Sequence, residues 1–265
     1  MQSILSMVLL HLSLQISGRN YFYDDKFDRT VQNKSDMTYS ILASDPKTGA
    51  IGVATATGSV AVGGFVPHVR FGVGAVATQG AFTNWLHGEN GLKLLKKGHS
   101  AEAVRDKLVK ADKGAAYRQF IICDRWGHTA GHTGAANLDE KLHYCGEQFA
   151  VAGNMLDSQA IVAVMRAAFE AKAGAPLHER LLHAMSEGER HGGDFRGTHS
   201  AAIKVQYADI PPVDLRVDWS EKSCIDELRV LYEKTQSHAY QSFLQGVPTY
   251  QNPDHHGTVS DEEVK

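Results

Sequence analysis

The stretch Ser35–Ala54, SDMTYSILASDPKTGAIGVA, decides how the rest of the chain is read. Thr38–Ser44 and Ala50–Ala56 are rich in strand formers. Asp45, Pro46 and Gly49 between them supply turn chemistry, so the segment reads as a β-hairpin. The hairpin starts directly behind Met37. Upstream, ILSMVLLHLSL is apolar but too short to span a bilayer, and no Lys or Arg precedes it as in a secretory leader. GRNYFYDDKFDRTVQNKSD then mixes charges without periodicity. Residues 1–36 therefore read as a disordered extension, or as sequence ahead of a true initiator at Met37, with a secretory leader the weaker alternative. The folded domain is expected over residues 37–250, followed by a disordered tail, 251–265.

Composition narrows the classes. The 265 residues are 43% apolar and 22% charged, with a formal net charge of −3. That is a globular mixture without the basic footprint of a nucleic-acid partner. No membrane partner is expected either. Cys123, Cys145 and Cys224 form no C-x-x-C pair, which argues for a reducing, cytoplasmic location and for thiols that act as small buried hydrophobes.

Periodicity carries the fold onward. VGAVATQ (Val73–Gln79) is a continuous small-apolar run, as in a strand buried on both faces. The pattern predicts a helix over Thr83–Lys97, closed by Gly98, and a second one capped by Ser100. YRQFIICDRWGHTAGHTG reads as two strands about Asp124–Gly127, and Gln148–Asn154 as another. Ile161, Val164, Met165 and Ala168 keep helical spacing, and Pro176 opens a helix with Leu177, Leu181, Leu182 and Met185 on one face. Two late strands, HSAAIKVQY and VDLRVDW, precede a helix marked by Ile225, Leu228 and Tyr232. Hairpins interrupted by helix pairs point to an α+β fold, with two antiparallel sheets and the helices packed outside.

Four blocks, TYSILASDPKTGAIGVATATGSVAVGGFVPHVRFGVGAVATQG, YRQFIICDRWGHTAGHTGA, FAVAGNML and GGDFRGTHSAA, come in this order between Met37 and Val217. Together they resemble the family catalogued as domain of unknown function 1028. That family is regarded as similar to the N-terminal-nucleophile (Ntn) hydrolases. The resemblance implies a four-layer αββα sandwich and an amide-bond hydrolase acting on a small-molecule or peptide-like substrate, without a cofactor. It also brings the prospect of a homo-oligomer, since such sandwiches build large assemblies. Within it, Thr38 becomes the nucleophile, its own freed α-amino group serving as base. Arg70, after two strands and a turn, becomes the cation that biases this amine. The Thr57, Gly58, Ser59 turn and Asn154 become donors to an oxyanion, and Asp194 and Arg196 the substrate contacts. Many family members carry Lys where this chain has Gly58 and Gln where it has Ala56, which implies a smaller and less charged pocket wall here.

Two rival readings accompany this one. A non-catalytic scaffold or ligand-binding module could use the same fold. A metal hydrolase would need His128, His132, His191, Asp194 or His199 as ligands, yet HTAGHT reads as strand and turn, where residues four apart share no helix face. No metal is therefore expected. G-x-S-x-G, G-x-G-x-x-G and P-loop motifs are absent from the sequence.

Overall fold

The computed structural model describes residues 37–137, 140–192 and 197–257. The described residues form one compact unit. Thr38–Ser44 (β1) and Ile51–Thr57 (β2) make the expected hairpin, with Thr38 opposite Thr57 and Ser44 opposite Ile51. The turn is locked by Asp45, whose carboxylate accepts from Lys47 N–H and from the Thr48 hydroxyl, both at 2.9 Å.

The hairpin forms the centre of a six-stranded antiparallel sheet, order β10-β9-β2-β1-β8-β7. The other members are Leu142–Cys145 (β7), Phe149–Asn154 (β8), Ser200–Gln206 (β9) and Val213–Val217 (β10). A second antiparallel sheet, β3-β4-β5-β6, comprises Pro67–Arg70, Gly74–Gln79, Gln119–Asp124 and Thr129–Thr133.

Three apolar cores hold these layers. Along β1, Tyr39, Ile41 and Ala43 face a core shared with Ala160–Ala171 (α3), Leu177–Arg190 (α4) and Cys224–Thr235 (α5). Leu42, Val53, Ala150 and Ala202 face the other way, against Ala75, Ala77, Ile121 and Cys123 of the second sheet. Val76, Phe120 and Ile122, on that sheet's outer side, pack on Leu86–Lys96 (α1) and Ala101–Ala111 (α2). Strands buried on both faces explain the unbroken apolar runs in the sequence. Among the described residues there are two antiparallel sheets and six helices, the last being His238–Leu244 (α6).

The expected α+β order is present, with three additions and a shift. Pro67–Arg70 and Leu142–Cys145 are short strands, and α6 is a short helix, none of which periodicity flagged. The first helix starts at Leu86, not Thr83. Asn84 holds its start outside the helix: its carbonyl accepts from Thr78 Oγ1 and its side chain bonds Asp112 and Leu86 N–H. Of the expected tail, residues 251–257 are described, and Gln251 N–H bonds the Ala208 carbonyl at 2.9 Å. Among the described residues no helix is long and apolar enough to cross a membrane.

Candidate functional site

Strand register lines up four polar side chains at one end of the six-stranded sheet. Thr38 pairs with Thr57 on one side and with Asn154 on the other, and Thr57 pairs with Ser200. Alternation puts Thr38 and Ser40 on the same face as Leu42, so the row Ser200–Thr57–Thr38–Asn154 faces the second sheet. All four residues are buried, Thr38 the least so at 9% exposure.

The row is hydrogen-bonded throughout. Thr38 Oγ1 lies 2.7 Å from Thr57 Oγ1. Ser200 Oγ donates to the Ser59 carbonyl at 2.6 Å and accepts from Val62 N–H at 3.1 Å, which fixes the Thr57–Ser59 turn. His199 N–H bonds the Thr57 carbonyl at 2.8 Å. Gly58 N–H points at the Met37 carbonyl at 3.1 Å, so a donor already sits on the carbonyl of the peptide bond preceding Thr38.

Beneath the row lies a second layer, absent from the candidates drawn from sequence. Gln119 Nε2 bonds the Gly153 and Leu142 carbonyls at 2.9 and 3.2 Å and approaches Thr133 Oγ1 at 2.9 Å. Two backbone carbonyls can only accept, so the Gln119 amide nitrogen faces them and its oxygen faces Gln79. Gln79 Nε2 accordingly donates to Gln119 Oε1 at 2.7 Å, and it also lies 3.1 Å from Asn154 Oδ1 and 3.3 Å from the Thr38 carbonyl. Gln79 Oε1 must then accept from Ser40 Oγ, 2.5 Å away. Ser40 has a single hydroxyl proton, so in its 2.8 Å contact with Thr55 Oγ1 the proton comes from Thr55. A direction of proton donation is thus imposed from the backbone up to the layer under Thr38. Thr133 Oγ1 continues the chain to His143 Nδ1 at 2.8 Å, and burial lowers the pKa of that imidazole.

Arg70 is not brought into this group. It is the exposed last residue of β3 and pairs with Gly74, whereas Gln79, at the other end of β4, meets Thr38. Five residues of strand, about 17 Å, separate the two ends. The antiparallel run of β3 carries Arg70 away from the row and leaves Pro67, opposite Ala77, nearer to it. The expectation of an arginine beside Thr38 is therefore corrected: among the described residues, the hydrogen-bond partners of Thr38, Thr57, Gln79 and Asn154 are uncharged. Thr57, Gly58, Ser59 and Asn154 do converge on Thr38. Asp194 and Arg196 lie outside the described residues. The signal for the missed pair was present: Gln79 closes one apolar strand and Gln119 opens another, where a buried amide needs partners.

The histidines weighed as metal ligands have structural partners. Asp124 Oδ2 and His128 Nδ1 are 3.1 Å apart, and His132 Nε2 lies 2.9 Å from the Ala115 carbonyl. Among the described residues no three His, Cys, Asp or Glu side chains are grouped to hold a metal. The cysteines are free; burial pushes Cys123 and Cys224 up to about 12, while Cys145 is only half-buried.

A mixed α+β architecture of two antiparallel sheets, with a buried polar row where the first strand begins, defines the class of protein. The chain belongs to the family of unknown function DUF1028, whose model matches residues 38–228. It is similar to the crystal structure of protein SPO2555 from Silicibacter pomeroyi, also described as DUF1028. That similarity has a TM-score of 0.80 and 36% identity, covering 84% of this chain and 97% of the other. No curated protein matches.

Proposed function

We propose that this protein is an Ntn-type amidohydrolase, with its layers forming an αββα sandwich and Thr38 as nucleophile toward a small or peptide-like amide. The observation that carries the reading is the pair of contacts about the Met37–Thr38 bond: Thr57 Oγ1 at 2.7 Å from Thr38 Oγ1, and Gly58 N–H on the Met37 carbonyl. In the unprocessed chain the Thr38 nitrogen is an amide and no base. The same contacts suit release of this bond. Thr38 Oγ attacks the Met37 carbonyl carbon, the C–N bond breaks, and the hydroxyl proton passes to the departing nitrogen, with Thr57 as the adjacent relay. Water then hydrolyses the ester, leaving a carboxylate on Met37 and a free amine on Thr38. In turnover that amine, ordinarily titrating near pH 8, takes the hydroxyl proton, and Gly58 N–H receives the developing oxyanion.

Asp194 and Arg196 are our candidates for substrate contact: the chain that follows them enters β9 beside Thr57 through the His199 N–H bond. The free cysteines favour a cytoplasmic setting. Intact mass spectrometry of the purified protein tests the release, with a chain starting at Thr38 expected and Thr38→Ala left uncleaved. A β-lactone, which needs both hydroxyl and amine, should then label the processed protein and not Thr38→Ser capped by an acetyl group. A processed chain that resists labelling would overturn the reading.

One observation favours a non-catalytic alternative on the same fold. Met37 is 2% exposed and packs in the helix-side core, so the unprocessed chain holds Thr38 closed. Protein that stays full-length and unlabelled supports that alternative.

A further inference from the structure

A cleft of about 600 Å³ lies between the start of α4, the loop before β10, α5, α6 and the segment behind α6. None of its lining residues belongs to the Thr38 network, and much of its wall lies beyond residue 228, where the family match ends. The volume is that of a small-molecule site. Its walls are apolar and aromatic, with Ile210, Pro211 and Leu215 on one side and Tyr232, Tyr240 and Leu244 on the other.

The charges in the cleft have one sign. Glu179, Asp209 and Asp214 line it, and no Lys or Arg does. Asp214 is neutralised by Lys204 at 2.8 Å. Glu179 and Asp209 have no ion partner among the described residues.

The half-buried histidine of the wall adds no positive charge. His178 is clamped between two phenols, Nδ1 at 2.5 Å from Tyr207 Oη and Nε2 at 2.6 Å from Tyr232 Oη. Burial lowers the pKa of His178 and raises those of both tyrosines, so the three side chains stay neutral near pH 7. A neutral imidazole has one N–H and one lone pair, so one phenol accepts from it and the other donates. This locks the Tyr232 ring, 5.0 Å from the imidazole, in the wall of the cleft. A fixed aromatic ring, two carboxylates without an ion partner and a wall without Lys or Arg are the elements that recognise a positively charged organic group.

We propose that this cleft binds a small organic ammonium compound with an apolar body, the cation meeting Glu179, Asp209 and the Tyr232 and Tyr240 rings. The site is independent of any chemistry at Thr38.

Calorimetric titration of the full chain tests it. Choline and benzylamine serve as probes for methylated and primary ammonium groups, and 3,3-dimethyl-1-butanol is the uncharged isostere of choline. Saturable binding of at least one cation is expected, at least tenfold tighter than the isostere. Glu179→Gln, at an exposed position, should weaken it several-fold. Tyr232→Leu should weaken it tenfold or more at an unchanged far-ultraviolet spectrum, and Thr38→Ala should leave it unaltered. Failure of both cations to bind, equal binding of the isostere, or indifference to Glu179→Gln and Tyr232→Leu together would overturn the proposal.

Discussion

At the scale of single residues, the polar layer under Thr38 is more informative than Thr38 itself. Gln79 touches Ser40, Gln119, Asn154 and the Thr38 backbone. Replacing it with Leu strands at least two buried polar groups. Gln79→Leu should therefore cost about 2–6 kcal/mol in urea unfolding, since each orphaned group costs about 1–3 kcal/mol. Arg70→Ala is the control: an exposed side chain at the far strand end should change stability by no more than about 0.5 kcal/mol, and turnover not at all. A large Arg70 effect would return the arginine to the site. Met37 gives a third measurement. Its side chain fills the helix-side core, so a chain beginning at Thr38 should melt several degrees below one beginning at Met37. The loss expected for emptying such a site is about 2–5 kcal/mol. Equal melting temperatures would mean that the core closes over the vacancy.

At the scale of elements, β2 shows how tightly the central strands are set. A Cβ added at Gly52 would lie 2.6 Å from Val205 Cγ2 and 2.9 Å from the Lys204 carbonyl oxygen. The carbonyl belongs to the neighbouring strand and cannot rotate aside. Gly52→Ala should destabilise by about 1–3 kcal/mol, read as a lower urea midpoint with unchanged slope. Most elements were legible in the sequence because they are two-sided: a strand buried on both faces leaves an apolar run, and a helix on a sheet leaves a stripe. Ser100 was readable as a cap, and it accepts from Ala103 N–H at 3.3 Å. Pro67–Arg70 and Leu142–Cys145 escaped notice because short strands at a sheet edge need no unbroken apolar run. The site was partly legible for a related reason. Thr38, Thr57 and Asn154 stand at strand ends that the pattern located. Whether Arg70 reached them depended on the direction of β3, which no local pattern encodes. Gln79 and Gln119 come from strands of the second sheet, and only sheet-on-sheet packing brings them under Thr38.

For the whole molecule, acid sensitivity follows from its buried imidazoles. Burial lowers the pKa values of His68, His87, His143 and His178. Below the unfolded value of about 6.5 the unfolded chain binds more protons than the native one, so stability falls as pH falls through that range. Asp112 adds a second step. Burial alone would raise it, but hydrogen bonds from Arg118, Asn84 and Gly114 outweigh that and hold its carboxyl well below the usual range. Its contribution is present above the unfolded carboxylate value of about 3.9 and is lost as pH falls below it. Glu189 acts in the opposite sense, because burial raises its pKa and protonation favours the fold. Four histidines against one carboxyl set the net sign above pH 5. The melting temperature should drop between pH 7.5 and 5.5, and a flat or rising profile by calorimetry would contradict these assignments. The sheet order carries a further consequence, for synthesis. The β1–β2 hairpin leaves the ribosome early, but its flanking partners are β8 and β9, which begin at Phe149 and Ser200. At about 5–20 residues per second the hairpin waits on the order of ten seconds with both edges unpaired and both faces bare. During translation the strand that starts at Thr38 is thus a sticky nascent segment, and its custody falls to whichever chaperone meets the growing chain.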